Sequence, residues 1–72
     1  MALQLELNDE VLLAEIMDAL ARNGCLTNQI TPKVCRVVYP RASDHREAWL
    51  EVGFFIRAWQ VSHPAVEAHL SF

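Results

Sequence analysis

Thr31-Pro32-Lys33-Val34-Cys35-Arg36-Val37-Val38-Tyr39-Pro40 is the stretch on which the fold turns. Val34, Val37, Val38 and Tyr39 are β-branched or aromatic, side chains that suit a half-buried pleated surface, and Pro40 stops the run, so a strand fits. Against this, Thr31-Pro32 is a sound N-cap and N1 pair, and helical spacing also groups Val34, Val37 and Val38. The side-chain types favour the strand, although periodicity alone leaves residues 31–39 open between strand and helix. A strand here makes the chain an α+β domain.

Upstream, Leu3, Leu5 and Leu7 alternate with Gln4, Glu6 and Asn8. Period two over six residues predicts a short strand with one buried face. Asn8 then offers an N-cap oxygen, and Asp9 and Glu10 suit the positive end of a helix dipole. Val11, Leu12, Leu13, Ile16, Met17, Ala19 and Leu20 recur at three- and four-residue steps, which predicts an amphipathic helix. Asp18 and Arg22 stand four apart in the favourable order, and Asn23-Gly24 ends the helix.

Downstream, Asp44 and Glu47 have capping-box spacing, and Ser43 is an alternative cap for a second helix. On a helical wheel Ala48, Val52, Phe55, Ile56 and Trp59 share a core side, with Trp49 at its margin. The opposite side carries Glu47 and Glu51, but also Leu50, Phe54 and Ala58, with Arg57 beside them. Gly53, mid-helix, suggests close approach of another backbone. Ser62-His63-Pro64 breaks this helix and predicts a third, short one edged by Val66, Leu70 and Phe72. The expected order is strand, helix, strand, helix, short helix, in one domain over residues 1–72.

A chain of 72 residues buries only about 60% of the surface its unfolded form exposes, yet 53% of these residues are hydrophobic. The surplus either fills a dense core or faces a second chain. Two strands and one helical layer make a thin core, so the composition points to completion by dimerisation, through a continued sheet or through the second helix packing on its copy.

The net charge of −3 conceals a polarised chain. Residues 1–20 hold five acidic residues and no lysine or arginine. Residues 21–46 hold Arg22, Lys33, Arg36, Arg41 and Arg46 against Asp44 alone. An acidic front and a basic middle can attract each other within a chain or between copies, although exposed pairs contribute little each.

The opening residues lack the basic region of a signal peptide, and charge interrupts every apolar stretch. Both features lead to the expectation of a cytoplasmic chain with no membrane association. Cys25 and Cys35, ten apart, form neither a redox pair nor a zinc half-site and read as two small reduced thiols.

Chemistry finds little support. His45, His63 and His69 would need a nucleophile such as Cys25, Cys35 or a serine, but there is no Gly-x-Ser-x-Gly turn and no glycine-rich phosphate loop. Cys25, Cys35, His45 and His63 are zinc-ligand types without the close pairing that structural zinc sites use. No enzyme activity, cofactor or metal is expected.

Two binding readings stand. In the first, Leu50 and Phe54, one turn apart and flanked by Glu47, Glu51 and Arg57, form an apolar patch rimmed by charge that contacts another protein chain. The chain is then a small adaptor, inhibitor or regulatory protein, a class in which phage and mobile-element accessory proteins of this size are common. In the second, Lys33, Arg36, Arg41 and Arg46 neutralise phosphates while Tyr39 stacks on a base, as in a small dimeric DNA-binding regulator. The strand-then-helices order is similar in topology to the ribbon-helix-helix regulators, whose dimers pair their strands in the major groove. Glu6 would then point from the ribbon toward DNA, Pro32 interrupts the expected second helix, and the pI of about 5.4 is acidic for a dedicated DNA binder. The first reading is the stronger.

Overall fold

The computed structural model describes residues 2–72 and shows an α+β domain. Strand β1 (Ala2–Leu7) leads into helix α1 (Glu10–Arg22). A hairpin of β2 (Leu26–Thr31) and β3 (Val34–Val38) follows, then helix α2 (His45–Val61) and strand β4 (Ala68–Ser71). The strands form one antiparallel sheet in the order β2-β3-β1-β4.

The alternation at the N-terminus sets the inner face. Leu3, Leu5 and Leu7 are buried, while Ala2, Gln4 and Glu6 face outward. Directly across from Leu3 and Leu5 lie Val37 and Cys35 of β3, both fully buried. The helices roof this face side by side, α1 toward β2 and α2 toward β4. Leu13, Ile16 and Leu20 of α1 and Ala48, Val52 and Ile56 of α2 close the core. The other face is open, polar at Gln4, Glu6, Arg36, Asn28, His69 and Ser71 and apolar toward Ala2, Val38 and the exposed Leu26.

Residues 31–39 resolve as a turn followed by a strand. The connection Pro32-Lys33 joins Thr31 to Val34, and no non-glycine residue has a positive φ among the described residues. That excludes the mirror-image hairpin turns, and proline's fixed φ suits the first central position of the turn that remains. A two-residue turn of this hand opposes the strand twist, and the register irregularity between Gln29 and Thr31 absorbs the mismatch. Thr31-Pro32 is therefore a turn entry and not a helix cap. Strand β2, which the sequence pattern does not announce, is a solvent-washed edge whose residues are nearly all exposed.

Two further expectations are corrected. Residues 64–72 form no short helix: Ser62-His63-Pro64 turns the chain, and β4 pairs with β1, Leu70 opposite Leu5 and Ala68 opposite Leu7. Without β4, one edge of β1 would be left without backbone partners beside the core. Asn8 is likewise not the cap of α1. Asp9 takes that place, accepting from the amides of Val11 and Leu12 at 2.9 and 3.4 Å. Asn8 instead accepts from the Glu67 amide at 3.0 Å and donates its own to the Glu67 carbonyl at 3.2 Å, tying the start of β4 to the end of β1.

Other local readings hold. Asp44 caps α2, its Oδ1 accepting from the Glu47 amide at 2.8 Å. Arg22 pairs with Asp18 one turn before it. Gly24 has φ +88°, the left-handed conformation that ends α1.

Candidate protein-interaction surface

Helix α2 is anchored by three buried side chains at four-residue steps, Ala48, Val52 and Ile56, with Phe55 and Trp59 half-buried beside them. That anchorage fixes the opposite side in space. Leu50 is 53% exposed and Phe54 66% exposed, and Val61 continues the line one turn past Arg57. Glu47, Glu51, Arg57 and Ala58 border them in solvent. Ser43 donates to the Glu47 carboxylate at 2.6 Å. Among the described residues Arg57 and Glu51 pair with no opposite charge.

This face continues into a groove between α2 and the edge strand β4, lined by Trp49, Leu50, Gly53, Phe54, Arg57 and Gln60 of the helix and by Ala68 and Leu70 of the strand. Phe72 extends the apolar surface, stacking on Trp49 (centroids 6.4 Å apart) and meeting His45 edge-on at 5.6 Å. Gly53 borders open space: a Cβ there would find only Leu70 Cδ2, at 4.0 Å. The expectation that this glycine marks a close backbone approach within the chain is thus overturned.

The basic residues do not converge. Lys33 sits in the β2–β3 turn, beside a surface lined by Glu6 and Glu67. Arg36 projects from the open face of the sheet, across from Gln4 and Asn28. Tyr39 and Arg41 follow the far end of β3, roughly 16 Å of strand from the turn, and Arg46 lies in the first turn of α2. The Tyr39 ring packs edge-on against Phe55 at 5.8 Å, so it is half-buried and not presented for stacking. Strand β1 is paired on both sides within its own chain, which leaves it no edge for a ribbon with a second copy. The acidic front meets the basic middle at one ion pair among the described residues, Arg22–Asp18, one turn apart in α1, while Glu15 contacts His63.

One constellation escaped the sequence reading. His63, three residues before the turn ends, stacks on Trp59 with centroids 3.9 Å apart and planes 11° apart. Its Nδ1 lies 3.0 Å from the Trp59 carbonyl and its Nε2 2.9 Å from Glu15 Oε1. Both neighbours are acceptors, and the ring lies within hydrogen-bonding distance of each. The residue clasps α1 to the end of α2. The spacing of His63 four residues after Trp59 was the available signal, whereas Glu15 lies 48 residues away and nothing local connects it.

Cys25 and Cys35 are free and buried, and burial pushes each thiol up to about 11. At neutral pH both are protonated and shielded, poor as nucleophiles and as ligands. No three His, Cys, Asp or Glu side chains gather in a metal-binding arrangement among the described residues. No helix is long and apolar enough to cross a membrane. Comparison with protein-family models, with curated proteins and with solved structures finds no match for this chain.

Proposed function

We propose that this chain is a non-enzymatic protein-interaction module, a small adaptor, inhibitor or regulatory protein, that docks another polypeptide on the outer face of α2. One observation carries the reading: Leu50 and Phe54 stand 53% and 66% exposed on a helix whose inner side is fully used. Charge borders the patch at Glu47, Glu51 and Arg57, the anatomy of an interface with an apolar centre and a polar rim. Two unpaired buried thiols suit a reducing compartment, which supports a cytoplasmic setting.

The test compares the native chain with the double variant Leu50→Ser/Phe54→Ser, both immobilised and challenged with native lysate. Proteins retained by the native chain, at low and high salt alike, should be lost from the variant. A variant that keeps every association of the native chain would refute the reading. Recovery of nucleic acid alone, released steeply by salt, would replace it with phosphate binding.

A further inference from the structure

The outer face of α2 carries more than an apolar patch. Glu47, Leu50, Phe54, Arg57 and Val61 succeed one another at steps of three, four, three and four, a seven-residue repeat that lays one straight seam along the helix. The seam runs Glu, Leu, Phe, Arg, Val. Its apolar pair is central, and its two charges are of opposite sign and symmetrically placed on either side.

From this pattern we infer that the occupant of the surface is a second copy of this chain, with the two α2 helices packed antiparallel about a two-fold axis between Leu50 and Phe54. The inference rests on the docking role of this face proposed above and names its partner. When two such seams meet antiparallel, each position of one type faces the other type on the copy. Leu50 then meets Phe54 of the second copy and Glu47 meets Arg57 of the second copy, and symmetry repeats both contacts. Parallel packing would set Glu47 against Glu47 and Arg57 against Arg57. The charges therefore select the antiparallel arrangement, and the opposed helix dipoles favour it as well. The unpartnered Arg57 gains its carboxylate.

Gly53 flanks the seam close to the axis, and with only Leu70 Cδ2 near its missing Cβ it leaves the copies room to approach closely. Glu51 flanks the other side and approaches its own symmetry mate, a repulsive contact. A seam on a helix of 17 residues, roughly 25 Å long, lies toward the small end of specific interfaces, so association in the micromolar range is expected.

Sedimentation equilibrium of the full chain, over about 5 to 500 µM, reads this directly. The native chain should pass from monomer to dimer, and Leu50→Ser/Phe54→Ser should stay monomeric while keeping its circular dichroism. Glu47→Arg and Arg57→Glu should each weaken the dimer by about tenfold or more, and the double reversal should return it to within about threefold of native. Glu51→Gln should tighten it. A native chain monomeric at the highest concentration overturns the second-copy inference, and so does a dimer indifferent to the reversals or not restored by combining them. In the first of these outcomes the docking reading still stands or falls on the lysate comparison, so the two failures are distinct.

Discussion

Helices α1 and α2 lie side by side on the same face of the same sheet, and their inner faces are built alike. Leu13, Ile16 and Leu20 on one and Ala48, Val52 and Ile56 on the other are all nearly inaccessible. Each is started by an aspartate whose side chain accepts from the first turn. Their outer faces differ. That of α1 is dominated by Glu10, Glu15, Asp18 and Arg22, closed by the Asp18–Arg22 pair and by the clasp from Glu15 to His63, with Val11 its lone large apolar residue in solvent. That of α2 presents Leu50, Phe54 and Val61, with Trp49 and Phe72 alongside. Folding needs only one apolar face per helix in a two-layer domain. The second apolar face of α2 therefore asks for an explanation outside the fold, and that contrast is the ground for assigning function to α2 and not to α1.

The contrast breaks most visibly if the two faces are truncated separately. Leu13→Ala, in the sealed core under α1, should cost about 2–5 kcal/mol, enough to unfold much of so small a domain. Phe54→Ala should cost under about 0.5 kcal/mol when urea unfolding is followed at concentrations too dilute for association. Equal losses would mean that Phe54 is part of the fold and the outer face of α2 is not free.

The seal beneath α1 can be probed by titration. Cys25 follows α1 and Cys35 lies across from Leu5, and both thiols ionise near 11 in the folded chain against 9.0 when unfolded. Below pH 9 both states are protonated and stability is unaffected. As pH rises from 9 toward 11 only the unfolded chain ionises, so stability should fall across that window. Replacing both cysteines with alanine should flatten this alkaline slope, and native thiols should react with a disulfide reagent at pH 8 only as fast as the chain opens.

Smaller effects sharpen the comparison. Asp9→Ala and Asp44→Ala should each cost about 1 kcal/mol in thermal unfolding, because the two helices are started by the same device. Similar values would confine the difference between α1 and α2 to their outer faces. Gly53→Ala should stabilise the monomer by up to about 1 kcal/mol, since helix propensity improves and the new Cβ meets nothing closer than 4.0 Å. Destabilisation would show that the groove beside α2 is tighter than its geometry implies.

Much of this molecule was legible before its tertiary structure. The alternating leucines of β1, both amphipathic helices, the Asp44 cap, the glycine stop after α1 and the outward stripe holding Leu50 and Phe54 all follow from periodicities that a single segment carries in its own side chains. The edge strands did not. Leu26-Thr27-Asn28-Gln29-Ile30-Thr31 is mostly exposed and carries no clean alternation, while Ala68-His69-Leu70-Ser71 does alternate apolar and polar side chains but is short and follows a proline that suits a helix start equally well. The conformation of β2 is completed by pairing with β3 across the Pro32-Lys33 turn, and that of β4 by pairing with β1 at the opposite end of the sequence. The clasp of His63 on Glu15 and the dispersal of the basic residues are tertiary outcomes of the same kind. A helix closes its hydrogen bonds within itself, so its pattern is local, whereas a strand borrows its partners, and only the assembled sheet decides which segments supply them.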